Sequence, residues 1–373
     1  MANPPSTNHI TGKQVHRFAP IQTAGTAAAN DVMKRSEVNE LRNRQVWLRT
    51  RPNGIPRAAN FGLREVALPT IKAGEFLVHN RFLSADPAMR GWIADSNNYV
   101  QRVEIGDTMR AFAAGVVIES RNEAYSVGDQ VMGVFGWQEY AAVTPAQVWR
   151  KVGERDLPLS LSLGVTGING LTAYFGLLDV LHPEVGETVV VSTAAGSVGS
   201  AVGQIAKIKG CRTVGVAGGT EKVRQCLDEF GYDAAIDYKA AKDVEAALVR
   251  HCPDGVDAFF DNTSGEIHDA VLRHINLHAR IAICGTATFP SWEPWNQGPR
   301  PERHLLVKRA TMQGFLTIDY AARFDDAATD LAGWIREGRL TYREDIQEGI
   351  ESAPGSIEKL YSGENIGKLI IRI

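Results

Sequence analysis

Cysteine is scarce: Cys211, Cys226, Cys252 and Cys284 are all that the chain carries in 373 residues. No two of them are spaced C-x-x-C, which excludes a structural zinc lobe of the four-cysteine kind and points to buried, reduced thiols. No apolar run approaches the ~20 residues that a bilayer-spanning helix needs. The formal net charge of −3 gives no reason to expect nucleic acid or an acidic membrane surface as a partner. Acid is missing altogether from residues 1–30, where only Lys13 and Arg17 carry a fixed side-chain charge. An acid-free, hydroxyl-rich stretch has something of an organelle transit peptide, but residues 1–40 read better as a flexible leader on a cytoplasmic protein. No internal repeat is present.

What the chain does have is a change of rhythm. At 373 residues it is long for one compact core, so two domains are expected. From Gln45 to about Val152, runs such as "QVWLRT", "FLVHNRFLS" and "AFAAGVVIES" alternate in strand fashion between turns rich in Pro, Gly, Asn and Asp. That pattern predicts a β-rich domain. Further on, "TVVVST" (188–193), "TVGVAG" (213–218), "AAIDYK" (234–239), "VDAFFD" (256–261) and "ARIAICG" (279–285) read as strands separated by helices. Such alternation requires crossover connections and predicts an α/β domain of the Rossmann kind, a doubly wound parallel sheet. The expected division gives 41–160 together with 325–373 to the β-rich domain and 161–324 to the nucleotide-binding one.

The first of those strands runs into "AAGSVGSAVGQIAKIKG" (194–210). Gly196, Ser197, Val198 and Gly199 would form a tight turn into a helix, where small residues let the backbone approach a pyrophosphate and the helix N–H groups favour its charge. Ala194 stands where G-x-G-x-x-G has its first glycine. An acid about twenty residues on would grip the ribose 2′-hydroxyl of NAD. Here "VAGGTEK" puts Gly218 and Gly219 at that place, with Lys222 just beyond and Tyr238 ending the next strand. A missing acid and an available cation suit the 2′-phosphate of NADPH/NADP+. The plainer reading of Lys222 is a solvated helix residue.

At this point the sequence resembles the zinc-independent medium-chain dehydrogenases/reductases, in the branch of leukotriene B4 12-hydroxydehydrogenases/prostaglandin reductases, curcumin reductases and alkenal double-bond reductases. The segments that carry the resemblance are "LSADPAMRGW" (83–92), "GVTGINGLTAYFGLLDV" (164–180), "AAGSVGSAVGQIAKIKGCRTVGVAGGTEK" (194–222), "FDNTSGE" (260–266), "ARIAICG" (279–285) and "GENIGK" (363–368). They run in order from about residue 45 to the C-terminus. The resemblance implies a GroES-like β-barrel domain plus a Rossmann domain, with the cofactor between them. It also implies NADPH-dependent reduction of the C=C bond of α,β-unsaturated ketones or aldehydes, without a metal. A homodimer paired through the edge segment "ATMQGFLTI" (310–318) is implied as well.

Carried over by motif, Gly196, Ser197, Val198 and Gly199 contact the pyrophosphate, and Lys222 and Tyr238, beside Gly218, the adenosine phosphate. Asn262 and Asn365 approach the cofactor from two segments, Cys284 and Gly285 end a strand on the same rim, and Thr166 lies near the nicotinamide. Turn or cap roles are the alternative for the polar residues. Cys284 has no neighbouring base in sequence and is not expected to act as a nucleophile. Tyr320 and Tyr99 stand where the family has tyrosines near the substrate, and a phenol can donate a hydrogen bond to a developing enolate. Phe289, Trp292 and Trp295 would offer apolar pocket walls, or else anchor the core. "DPAMRG" has Ala88 where the family has an aromatic residue, which leaves the substrate open. A quinone oxidoreductase of the same superfamily and a non-catalytic NADPH-binding sensor or scaffold remain the alternatives.

Overall fold

In the computed structural model, residues 41–95, 98–289 and 296–373 are described. Short alternating runs build the first half. Strands β1 (Arg42–Leu48) and β2 (Phe61–Ala67) form an antiparallel ribbon. Strand β3 (Phe76–Ser84) is the spine of a larger sheet. A short helix α1 (Met89–Ile93) follows it, and then come β4 (Phe112–Ser120), β5 (Gln130–Val134), β6 (Tyr140–Val143) and β7 (Val148–Lys151). β3 pairs with β4 on one side and with β6 on the other, while β4, β5 and β7 follow in order, all antiparallel. The inward residues Val46, Leu48, Phe76, Val78, Leu83, Val117 and Met132 are wholly buried around Trp137. The indole Nε1 of Trp137 donates to the Ser84 carbonyl at 3.0 Å, so the largest core side chain keeps its polar atom satisfied.

The period then changes as the sequence predicts. Helix α2 (Ile168–Phe175) widens into a π-type turn over Gly176–Leu181. After it come β8 (Thr188–Ser192), α3 (Ser197–Ile208), β9 (Arg212–Ala217), α4 (Thr220–Asp228), β10 (Ala234–Asp237), α5 (Val244–His251), β11 (Val256–Asp261), α6 (Gly265–Leu272) and β12 (Ile275–Ile283). Helix α7 (Glu302–Lys308) and strand β13 (Thr311–Gly314) complete the unit. The strands lie parallel in the order β10-β9-β8-β11-β12-β13. Every residue of β8 is buried, as a central strand covered on both faces requires. The order reverses direction between β8 and β11, and ligands of such sheets sit outside the strand C-termini at that switch point.

Helix α8 (Phe324–Arg336) turns Phe324, Ala327, Ala328 and Leu331 into the same core as Phe175, Leu177 and Val189 of the nucleotide half. The first sheet regains the chain at β14 (Glu344–Glu348), which lies parallel to β15 (Lys368–Arg372); β15 in turn pairs antiparallel with β3, and helix α9 (Ala353–Ser362) connects the two. The sequence reading gave the first domain everything from 325. The apolar stripe of α8 instead faces α2, because its small alanines allow close helix packing there. Strand β13 is also shorter than the expected 310–318, since the chain coils into a 3-10 helix at Thr317–Arg323. Among the described residues no helix is long and apolar enough to cross a membrane.

Candidate active site

Thr193, at φ 53°, turns the chain out of β8 and into the start of α3. No side chain caps α3 and no acid occupies its first turn, so its leading N–H groups and positive dipole end face the opening between the two halves. Gly196 precedes this helix, and Ser197, Val198 and Gly199 form its first turn. A narrow cleft there is lined by Gly164, Val165, Ser197, Ser200, Glu344 and Lys368, residues drawn from both halves of the molecule. The departure from G-x-G-x-x-G has a local compensation. A Cβ on Gly215 would come within 2.7 Å of the Ala194 methyl, so β9 leaves room for the alanine. Tyr232 then donates its hydroxyl to the Gly199 carbonyl at 2.6 Å and closes the turn from beneath.

Just past β9, Gly218 lies against Tyr238 and Lys239: a Cβ on it would meet the Tyr238 ring at 2.8 Å and Lys239 at 3.0 Å. The nearby carboxylate, Asp237, is taken up by the backbone, accepting from Gly219 N–H at 2.8 Å and Lys239 N–H at 3.1 Å. Burial pushes the Lys222 ammonium below its ordinary pKa, and repulsion from Lys239 adds to the shift. Among the described residues neither ammonium has a hydrogen-bond or ion-pair partner. Two like charges left unpaired at the edge of a nucleotide fold fit a phosphate. Lys239 was missed in the sequence, although it follows Tyr238 directly; an isolated lysine beyond a strand carries no signal of its own.

At the other end of the groove, Asn262 donates its backbone N–H to Ser192 Oγ at 2.8 Å and its amide to the Ser192 carbonyl at 2.7 Å. Gly285 allows the chain to pass close by, since a Cβ there would stand 3.0 Å from the Asn262 carbonyl. Burial pushes the Cys284 thiol up to about 12, with the Asp261 charge acting the same way, so the thiol stays protonated and is a poor nucleophile. Thr166 is buried, and its carbonyl accepts from the Arg150 guanidinium at 3.0 Å. Asn365 turns its amide onto its own loop, donating to the Gly367 carbonyl at 2.9 Å. The Lys222 ammonium nonetheless reaches that loop, 3.5 Å from where a Gly363 Cβ would be.

Tyr99 leaves about half its surface to solvent while its hydroxyl accepts from Trp92 Nε1 at 3.3 Å. Partial burial raises the phenol pKa, against the Trp92 hydrogen bond, and the nearby Asp86 charge acts in the same direction as burial. Arg90 hydrogen-bonds the Phe289 carbonyl, tying α1 to the loop after β12. Tyr320 is elsewhere. Its ring stacks on Phe175 at 4.7 Å, at the far end of α2 from Thr166, with Asp179 and Asp319 adding to the burial that raises its pKa. Among the described residues no hydrogen bond or ring stack joins it to Tyr99 or Trp92. Trp292 and Trp295 lie outside the described residues.

Sequence reasoning also missed a buried ion pair. The Lys368 ammonium donates to Asp86 Oδ1 at 2.6 Å, Ser84 Oγ at 2.7 Å and the Ala85 carbonyl at 3.0 Å. It joins "ADPAMRG" to "GENIGK", two motifs noticed separately and brought together only by the pairing of β3 with β15. Among the described residues no group of three or more His, Cys, Asp or Glu is arranged to hold a metal ion.

The comparisons with known proteins match this fold. Residues 44–152 match the model of the N-terminal domain of oxidoreductase, and residues 197–333 the model described as zinc-binding dehydrogenase. The NADPH-dependent curcumin reductase of Escherichia coli is 40% identical over 89% of this chain and 97% of its own. The NADP(+)-dependent 2-alkenal reductase of Nicotiana tabacum is 38% identical over 90% of this chain and 98% of its own. Among solved structures, CurA from Vibrio vulnificus superposes with a TM-score of 0.84 at 39% identity, covering 88% of this chain and 98% of that one, and CurA has also been solved in complex with NADPH. A quinone oxidoreductase of Pseudomonas syringae shares the fold alone, at 17% identity. The chain belongs to the medium-chain dehydrogenases/reductases. Within them it falls in the branch of the curcumin, alkenal and prostaglandin reductases.

Proposed function

We propose that this chain is an NADPH-dependent reductase of the C=C bond of α,β-unsaturated ketones and aldehydes. The observation that carries the reading is the pair of unpartnered lysines, Lys222 and Lys239, beside an uncapped helix start at the switch point of the sheet. When bound, NADPH supplies the hydride that the substrate's β-carbon accepts. The first turn of α3 holds the pyrophosphate, the two lysines the 2′-phosphate, and Asn262 with Cys284 and Gly285 flanks the nicotinamide ribose. Negative charge then gathers on the substrate's carbonyl oxygen, where the protonated phenol of Tyr99 donates a hydrogen bond. The α-carbon takes its proton from Tyr99 or from water that reaches its exposed side. Tyr320, held on Phe175, has no part in that transfer. Phe289 and Trp92 form apolar walls suited to a conjugated substrate.

Two assembly features go with this reading. Thr311, Gln313 and Gly314 on the outer edge of the sheet are exposed, and so are Leu316 and Ile318 beyond them, which favours a homodimer paired through β13. A cytoplasmic location accords with the reduced cysteines. The test is NADPH oxidation over aliphatic enals, aryl enones and quinones, with the product identified by NMR. Saturation of the C=C bond of an enal or enone is expected. Failure of every enone, or faster turnover of quinones, would overturn the assignment.

A further inference from the structure

The strand order reverses between the paired β8 and β11, and at that point the sheet buries a carboxylate. Asp261 ends β11 with no exposed surface, level with Ser192 at the end of β8. Its Oδ1 accepts from Ser192 Oγ at 3.0 Å, from Thr263 N–H at 2.9 Å, from Thr263 Oγ1 at 3.2 Å and from Ser264 N–H at 2.9 Å. Its other oxygen, Oδ2, lies 2.8 Å from His268 Nδ1 on α6. Its backbone carbonyl accepts from Cys284 and Gly285 N–H groups at 2.8 and 3.2 Å. One residue therefore touches the end of β8, the turn after β11 and the exit of β12.

The groups so gathered are those that face the dinucleotide. Ser192 Oγ gives its proton to Asp261 and takes the N–H of Asn262, so the carboxylate fixes the hydroxyl that fixes Asn262. The next residue, Thr193, begins the phosphate turn. Ser264 is held at φ 59° and ψ −161°, a conformation that side chains other than glycine avoid, and its N–H is one of the four donors on Oδ1. A strained turn of this kind persists only where its surroundings over-determine it. His268 occupies the remaining oxygen, which keeps the carboxylate from rotating away from Ser192.

We propose that Asp261, backed by His268, is a positioning residue that sets Asn262 and the phosphate turn in one register for the dinucleotide. The inference rests on the placement of Asn262 beside the cofactor. It predicts a role for neither residue in the chemical step, and it predicts indifference to the 2′-phosphate, which is held at the opposite end of the groove.

The experiment is calorimetric titration of the apoprotein with NADPH and with NADH, in the absence of any enone, alongside its melting temperature. D261N keeps the volume but leaves one acceptor oxygen, and it is expected to raise Kd for both dinucleotides by about tenfold, the worth of one or two hydrogen bonds to a charged group. H268L removes the donor behind the carboxylate and is expected to raise both Kd values by roughly threefold or more, while H268N, whose amide nitrogen can stand in for Nδ1, restores them. A role confined to holding the fold would lower the melting temperature and leave Kd alone. Kd values within about twofold of wild type in D261N and H268L would overturn the proposal, as would a loss restricted to NADPH. Should D261N fail to fold, the His268 pair decides. A protein that binds NADPH tightly but reduces no enone would sink the proposed function and leave this test standing.

Discussion

The two ends of the cofactor groove are held by opposite means. At the end proposed for the adenosine, Lys222 feels the charge of Lys239, and among the described residues neither ammonium has a partner. At the end proposed for the nicotinamide, the Ser192 hydroxyl, both Asp261 carboxylate oxygens and the Asn262 amide nitrogen already have partners within the protein. The first arrangement is incomplete without an anion and gains most from binding one, so it governs which dinucleotide is chosen. The second contributes a fixed geometry, which matters for a hydride that must travel in one direction over a short distance.

The comparison breaks most visibly if the charged end is emptied. K222A/K239A should cut the preference for NADPH over NADH by about two orders of magnitude, as the loss of two charge-assisted contacts implies, with NADH affinity nearly unchanged. Equal losses for both dinucleotides, measured as Kd, would show that the lysines serve the fold. At the other end, Y99F should lower kcat with an enone by roughly tenfold or more while leaving Kd for NADPH as it was, because the lost hydroxyl bonds Trp92 and the substrate oxygen but none of the proposed cofactor-binding residues. An unchanged kcat would remove Tyr99 from the mechanism.

Titration sharpens the same contrast. On the proposed reading the charged form of Lys222 binds phosphate; its pKa is lowered, so the ammonium is lost at a lower pH than an ordinary lysine would lose it. NADPH affinity should therefore weaken on the alkaline side earlier than a solvated lysine would allow, and NADH affinity should stay level. Parallel pH profiles of Kd for the two would contradict the assignment. The smallest effect is expected from Y320F, whose ring stacks at the remote end of α2: kcat should stay within about twofold. A large fall in kcat with the melting temperature unchanged would bring Tyr320 back into the site.

Much of the fold was legible because period is a local property. The Val run of β8 and the helices between 197 and 272 announce themselves within a dozen residues, and alternation alone implies the parallel sheet. Strand β14 and helix α9 were not anticipated. "EDIQE" has no apolar face to mark it as a strand, and α9 is entered through a proline and a glycine. The phosphate turn was readable, since its residues are contiguous. The Asp261 cluster was not, because Ser192 and Asp261 are 69 positions apart and meet only through strand pairing. The same holds for Lys368 and Asp86, separated by 282 positions. Tyr320 shows the converse limit. Its motif could not show that a 3-10 helix after β13 would stack its ring on Phe175.

The fit of Ala194 against Gly215 has a consequence for anyone redesigning the cofactor preference. The methyl on one strand end and the bare α-carbon on its neighbour fill a single volume, so the two positions mutate safely only together. Restoring glycine at 194 alone opens a methyl-sized hole beneath the turn, and enlarging residue 215 alone drives two carbons to 2.7 Å. Swapping both would remove that clash and ask the Tyr232 ring, 3.3 Å from the new methyl, to give by a few tenths of an ångström.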